Sequence, residues 1–186
     1  MKILMLCDRE SASGDNLRDA LNMLLADAGH EVEAVTLNRE LLKPCRGCFG
    51  CWVKTPGCCV ITDDNANNIA EKQMSSDVVV LLSKITFGGF SADIKSYLDR
   101  AIQNIGADFE VYKGEMRHEK RYENFPVLIA VGYGDAGEPE KQTFTRLIQR
   151  NALNMRPKKF SALMVNNGET LKRAARSVLE ILEVKS

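Results

Sequence analysis

The chain has 186 residues and no net charge, because 25 Lys and Arg balance 25 Asp and Glu. Such a balance gives no bulk electrostatic pull toward nucleic acid or an anionic membrane. No apolar run approaches the roughly 18 residues that a bilayer span needs, and no basic-then-apolar leader opens the sequence. The expectation is a cytoplasmic protein. Histidine is scarce, with two copies. His30 sits in a Gly-His turn and His118 in a charged stretch, so neither suggests a catalytic triad. The loop after the first strand carries no GxGxxG, the dinucleotide fingerprint, and the GK[ST] of a P-loop does not occur in the chain.

What is present is an alternation. Met1 to Cys7 is a short apolar run suited to a strand buried on both faces, with Cys7 a small core residue. Leu17, Leu21, Leu24, Leu25 and Ala28 share one helical stripe, which Gly29 ends. Residues 31 to 37 alternate in polarity, as a half-exposed edge strand would. A cysteine-rich stretch follows, then a helix over about 63–76 and a continuous strand over 77–83. Ile94, Tyr97, Leu98, Ala101, Ile102 and Ile105 recur at helical spacing, with Ser91 as N-cap and Gly106 as stop. Residues 107–125 are charged with four interleaved aromatics, and read as an insertion or lid, or else as a solvated loop. A strand (126–134), a helix (139–154), a strand (159–165) and a last helix bearing Leu171, Ala175, Val178, Leu179 and Leu182 complete the chain.

Five strands alternating with five helices imply right-handed βαβ units and a parallel sheet covered on both faces. The whole chain, 1–186, reads as a single α/β domain: a three-layer sandwich on a five-stranded parallel sheet. With the alternating second strand at an edge, the strand order is 2-1-3-4-5, the flavodoxin-like order, in which ligands bind at the switch point between strands 1 and 3. The loops after strands 1, 3 and 4 are therefore the candidate site. The first offers Ser11, Ser13, Gly14, Asp15 and Asn16 at a helix N-terminus, suited to a phosphate. The second, Lys84, Ile85, Thr86, Phe87, Gly88, Gly89 and Phe90, combines backbone approach with aromatic surface for a flat heteroaromatic ring. In the third, Gly132 and Gly134 flank Tyr133.

These loops, together with the cysteine stretch ending in Asp63-Asp64 and the run "SADIKSYLDR", resemble the NAD(P)H-dependent FMN reductase branch of the flavodoxin superfamily, and within it the iron–sulfur flavoproteins. The resemblance covers roughly residues 1–165. It implies FMN, with its phosphate among Ser11, Ser13, Gly14, Asp15 and Asn16 and its ring against residues 84–90, Gly132 and Tyr133. It implies no catalytic side chain, since the cofactor performs the hydride chemistry. Two departures stand out: Cys7-Asp8-Arg9-Glu10 where the family has Gly-Ser-Pro-Arg, and Gly14-Asp15-Asn16 where it has Gly-Asn-Thr. An aspartate beside a phosphate is unfavourable unless its side chain points away.

Five of the six cysteines fall within residues 45–59. Cys45, Cys48, Cys51 and Cys58 have the spacing C-x2-C-x2-C-x6-C, in which closely spaced thiolates converge as in ferredoxin-type ligation. Cys59 competes with Cys58 for the fourth place. The resemblance implies a [4Fe–4S] cluster there; structural zinc, which prefers separated ligand pairs, and a metal-free thiol loop are the alternatives. The functional expectation is an FMN-dependent oxidoreductase. It would take electrons from NAD(P)H and pass them to a flavin, a quinone or an iron–sulfur acceptor, as a homodimer or homotetramer with no nucleic-acid or membrane partner. A flavodoxin-like electron carrier and a zinc-stabilised binding domain without flavin are the rival readings. Carriers tend to be acidic for docking on basic partners, and the balanced charge argues against that one.

Overall fold

The computed structural model describes residues 1–9, 11–165 and 171–183, with Leu171 described in its backbone alone. Glu10 and the side chain of Leu171 thus lie outside the described residues. Strand β1 (Lys2–Cys7) runs into helix α1 (Ala12–Asp27), and β2 (Glu31–Thr36) follows. A short turn of helix, α2 (Gly50–Val53), lies in the cysteine stretch ahead of α3 (Ala66–Ser75) and β3 (Val78–Lys84). Helix α4 (Ala92–Arg100) passes through a 3-10 turn (Ala101–Asn104) into β4 (Ile105–Tyr112) and β5 (Glu115–Lys120). Then come β6 (Val127–Tyr133), α5 (Glu138–Met155), β7 (Phe160–Val165) and α6 (Leu171–Glu183).

The main sheet is parallel with the order β2-β1-β3-β6-β7. Counting only its own strands, that is the expected 2-1-3-4-5, with the alternating strand β2 at an edge. The continuous apolar runs of β1, β3 and β6 lie in its middle, buried on both faces, as parallel strands between helical layers must be. One face packs Leu4, Leu6, Val79, Leu81 and Leu128 against α3, α4 and α5. The other packs Ile3, Met5, Val80 and Ile129 against α1 and α6. Leu17, Leu21 and Leu25, four residues apart on α1, are fully buried there. Each contributes about 1.5–3 kcal/mol by leaving water.

Two expectations need correction. The helix over Ile94 to Ile105 ends at Arg100. Ile102 belongs to the 3-10 turn, and Ile105 with Gly106 opens β4. A 3-10 turn keeps successive side chains close to the helical face, so the apolar periodicity outlives the helix. Gly106 is no helix stop: a Cβ there would come 2.4 Å from Glu119 Cγ, so the glycine serves close approach of two strands. Nor is 107–125 a solvated loop for most of its length. β4 and β5 form an antiparallel hairpin closed by Lys113 and Gly114, both at positive φ (51° and 77°), the two-residue turn that matches strand twist.

Candidate functional site

At the carboxyl ends of β1, β3 and β6 three loops meet. The first enters α1, whose N-cap is Ser11; its Oγ accepts from Gly14 N at 3.3 Å. The Ala12 and Ser13 N–H groups have no acceptor within the helix by construction, the Gly14 N–H being taken by Ser11, and Ser11, Ser13 and Asn16 add side-chain groups at the same end. Asp15 is turned aside. Its carboxylate takes a hydrogen bond from Arg18 Nη1 at 2.9 Å, and the same nitrogen reaches Thr36 Oγ1 at 3.3 Å. The charge that looks unfavourable in the sequence is paired on the flank of the helix, which leaves its N-terminal partial positive charge available to an anion.

Asp8, one of the departures in the first loop, is buried to 3% exposure and ties the three strand ends together. Its Oδ1 accepts from Tyr133 Oη at 2.5 Å, and its Oδ2 accepts from Lys84 N at 2.6 Å. Tyr133 is buried and its ring lies over Gly14, where a Cβ would meet the phenol oxygen at 2.3 Å. Gly14 is therefore required by a side chain from β6 as much as by any ligand. Sequence reasoning noted Asp8 as a departure and gave it no role; a lone acidic residue closing a buried strand was the signal.

In the second loop, Thr86 and Gly89 exchange both backbone hydrogen bonds (3.0 and 2.9 Å) around a two-residue tip, Phe87 and Gly88, at φ 49° and 72°. The turn uses the Thr86 and Gly89 amides itself. Phe87 stands 94% exposed on that tip, an apolar ring held in a backbone conformation that non-glycine residues adopt at a cost. Phe90 points inward and meets Phe144 edge-on, ring centroids 5.2 Å apart. Ile85 is in the core. Gly88 leaves no room for a Cβ, which would strike Thr143 at 2.8 Å, so the turn is seated on α5. Gly132 is likewise a packing glycine: a Cβ would meet Ile85 at 2.8 Å and Phe144 at 2.9 Å. Thus Ser11, Ser13, Asn16, Thr86 and Phe87 line the rim, while Gly132, Tyr133, Ile85 and Phe90 support it from below.

The cysteine stretch leaves β2 on this same side of the sheet. All six cysteines are free thiols. Cys7 is enclosed in the core, and burial pushes its thiol up to about 12, which keeps it an inert packing residue. Cys51 and Cys59 are buried, Cys45 is half-buried, and Cys48 and Cys58 are exposed. Burial, then the neighbouring thiols of Cys59, Cys45 and Cys48, raise the Cys51 thiol above its ordinary range. Those four sulfurs are thus electrostatic neighbours. Among the described residues no three His, Cys, Asp or Glu side chains converge closely enough to hold a metal as they stand. The donor set nonetheless suits one: soft sulfurs outside any disulfide, on a loop with backbone at positive φ at Gly47, Phe49 and Gly57.

The loop is clamped at both ends. Arg100 and Asp64 form an ion pair whose side chains are both fully buried, with N···O distances of 2.6 and 3.1 Å. Arg100 also donates to Lys43 O (2.7 Å) and Ile61 O (3.3 Å), before and after the cysteines. Asp64 accepts from Lys43 N and Ala66 N as well. Burial by itself would raise the Asp64 carboxyl; Arg100 and those two amides outweigh it and hold it below the usual carboxylate range. The Cys59 amide is fixed by Asn67 Oδ1 and Gln103 Oε1, each at 2.9 Å.

Fold and site together define a flavodoxin-like α/β protein with a Ser-capped helix terminus at its switch point and a thiol-rich loop on the same side of the sheet. The chain belongs to the NADPH-dependent FMN reductase family, whose model matches residues 1–170. FMN is the cofactor that this family's description names. Among curated relatives, an iron-sulfur flavoprotein of Methanocaldococcus jannaschii is 40% identical over 85 residues, 46% of this chain and 42% of that one. Another of that name, from Archaeoglobus fulgidus, is 28% identical over 145 residues, 68% and 64% of the two chains. These matches span less than two thirds of the relatives' length. Among solved structures, the NAD(P)H:quinone oxidoreductase of Methanothermobacter marburgensis superposes with TM-score 0.68 at 14% identity, over 100% of this chain and 99% of that one. No helix among the described residues is long and apolar enough to cross a membrane.

Proposed function

We propose that the protein is an FMN-dependent oxidoreductase that takes electrons from NAD(P)H and delivers them to a flavin, quinone or iron–sulfur acceptor. The observation that carries this reading is the α1 terminus, with its one acidic side chain paired away on Arg18, at the same end of the parallel sheet as the exposed Phe87 turn. FMN, when bound, supplies the hydride-accepting chemistry. The chain's part is to bind and orient. The first-turn amides of α1, the Ser11 and Ser13 hydroxyls and Asn16 would hold the phosphate. The turn over 84–90 would border the ring, with Phe87 as its apolar wall. Asp8 would keep both loops in register through Lys84 and Tyr133. No side chain is needed as a proton donor in this scheme.

Cys45, Cys48, Cys51 and one of Cys58 and Cys59 are the residues that would hold a [4Fe–4S] cluster, which supplies one-electron chemistry when bound. Cys59 is favoured over Cys58 by its burial in the interior of the loop. The test is to load the anaerobically purified protein with FMN and mix it with NADH or NADPH. Bleaching of the flavin absorbance within the mixing experiment supports the reductase reading. A protein that binds FMN but is bleached by neither nucleotide sinks it in favour of a carrier.

A further inference from the structure

Two of the carboxylates around the site are matched with a cation: Asp15 with Arg18, and Asp64 with Arg100. Asp8 is not. Among the described residues it belongs to no ion pair. It is 3% exposed, and neutral donors take its two oxygens: the Tyr133 hydroxyl at 2.5 Å and the Lys84 amide at 2.6 Å. Arg18 does not serve it, because that guanidinium is held by Asp15 and Asp19 at 2.9 Å each. Distances this short belong to bonds accepted by a charged oxygen. Both oxygens accept, so the group is a carboxylate, buried with its charge uncompensated by any neighbouring cation.

The two hydrogen bonds do not need that charge. An asparagine would accept from the Lys84 amide and donate to the Tyr133 oxygen, and it would avoid the desolvation of an anion that no cation offsets. The charge is surplus to the structural tie, and its place in the fold supplies a second role. Asp8 directly follows β1. Its partner Lys84 opens the turn over 84–90 that borders the ring in the function proposed above. Its partner Tyr133 lies over Gly14, at the terminus proposed for the phosphate. A cofactor spanning those two loops passes over Asp8 without touching it. We infer that Asp8 acts on bound FMN through its charge, weakening the reduced form relative to the oxidised form and so making the bound cofactor a stronger reductant. The inference rests on the FMN reading. Two-electron reduction leaves the flavin ring with an added negative charge at neutral pH, and charge near the ring is one of the protein's levers on such a cofactor. A fixed anion in the low-dielectric interior repels that added charge more than it would across water. No bond forms or breaks at Asp8 itself.

The test is the affinity of the full chain for FMN in both redox states, measured anaerobically. Fluorescence quenching gives the dissociation constant of oxidised FMN. The midpoint potential of bound against free FMN gives the ratio of the reduced to the oxidised dissociation constant. Asp8→Asn removes the charge and can keep both hydrogen bonds. Its ratio should fall about tenfold below wild type, which raises the midpoint potential by about 30 mV for a two-electron couple. Tyr133→Phe breaks the tie and keeps the charge, so it should weaken both forms together and leave the ratio within about twofold of wild type. Asp8→Ser repeats the loss of charge should Asp8→Asn lose its native circular dichroism. An unchanged ratio in the Asp8 variants, an equal fall in Tyr133→Phe, or failure of both Asp8 variants to fold would each leave Asp8 a structural tie and overturn the inference. A wild type that binds neither form of FMN would overturn the FMN reading itself, and the inference with it.

Discussion

Replacing Asp64 with asparagine tests whether the cysteine loop is clamped through one buried ion pair. The Asp64 and Arg100 side chains have no solvent exposure, and Arg100 bridges the two ends of the loop through Lys43 O and Ile61 O. The substitution removes the charge that neutralises Arg100 and turns either an amide nitrogen or a single oxygen toward the guanidinium. Breaking one partner of a buried pair costs about 3–5 kcal/mol, because the other charge remains desolvated. For a chain of this length each kcal/mol lowers the melting temperature by about 2–4 °C. The expected fall is therefore roughly 6–20 °C, measured by circular dichroism at pH 7, with faster labelling of the buried Cys59. Asp63→Asn is the control: Asp63 pairs with Lys43 at the surface, where water and salt screen an ion pair and its loss costs little. Acid supplies a second arm. The folded Asp64 carboxyl lies below its ordinary value, so below about pH 4 the unfolded chain binds the extra proton. The pair's contribution is complete above that value and fades as pH falls through it toward the folded value. The gap between wild type and Asp64→Asn should accordingly shrink from pH 6 to pH 3. A fall no larger than that of Asp63→Asn, or a gap independent of pH, would refute the reasoning.

Phe87→Gly should leave the fold intact or slightly firmer, since it relieves a non-glycine residue at φ 49°, yet weaken FMN roughly fivefold or more if the ring stacks there, about 1 kcal/mol; flavin fluorescence quenching decides, and an unchanged dissociation constant removes Phe87 from the site. Tyr133→Phe strands the Asp8 Oδ1 acceptor in the interior and should cost about 1–3 kcal/mol by denaturant titration; a cost near zero would mean that Asp8 does not organise the strand ends. After anaerobic reconstitution with iron and sulfide, Cys59→Ser should lower iron per chain while Cys58→Ser retains it, and the opposite pattern would restore Cys58 as the fourth ligand.

The sheet was legible because each of its strands carries its own burial in its composition. β1, β3 and β6 are unbroken apolar runs and β2 alternates, which distinguishes centre from edge and fixes the order once crossovers are right-handed. The loop after β1 was legible as a helix N-terminus carrying Ser11, Ser13 and Asn16. What stayed hidden depends on residues distant in sequence. The Asp15–Arg18 pair was within local reach, three residues apart on one helix, but nothing near Gly14 indicates that Tyr133, more than a hundred residues away, would lie over it. Gly132 reads as a ligand-approach glycine beside Gly134, whereas in space Ile85 and Phe144 claim the volume of its missing side chain.

The hairpin shows the opposite failure, in which the local signal was present and was overridden by composition. Phe109 and Val111 alternate with Asp108, Glu110 and Tyr112, and Lys113-Gly114 supplies the turn, but the density of charge in 107–125 suggests a solvated segment. The charge has a different purpose. Glu110, Glu115, Arg150 and Arg156 fasten the hairpin to α5 by its polar side, and that fastening is what turns Phe109, Val111 and Met116 outward. The aromatic series Phe109, His118, Trp52 and Phe49 then joins this surface to the helix that carries Cys51. The same arginine that fastens the hairpin, Arg156, thereby also holds the His118 backbone where its ring meets Trp52 of the thiol loop.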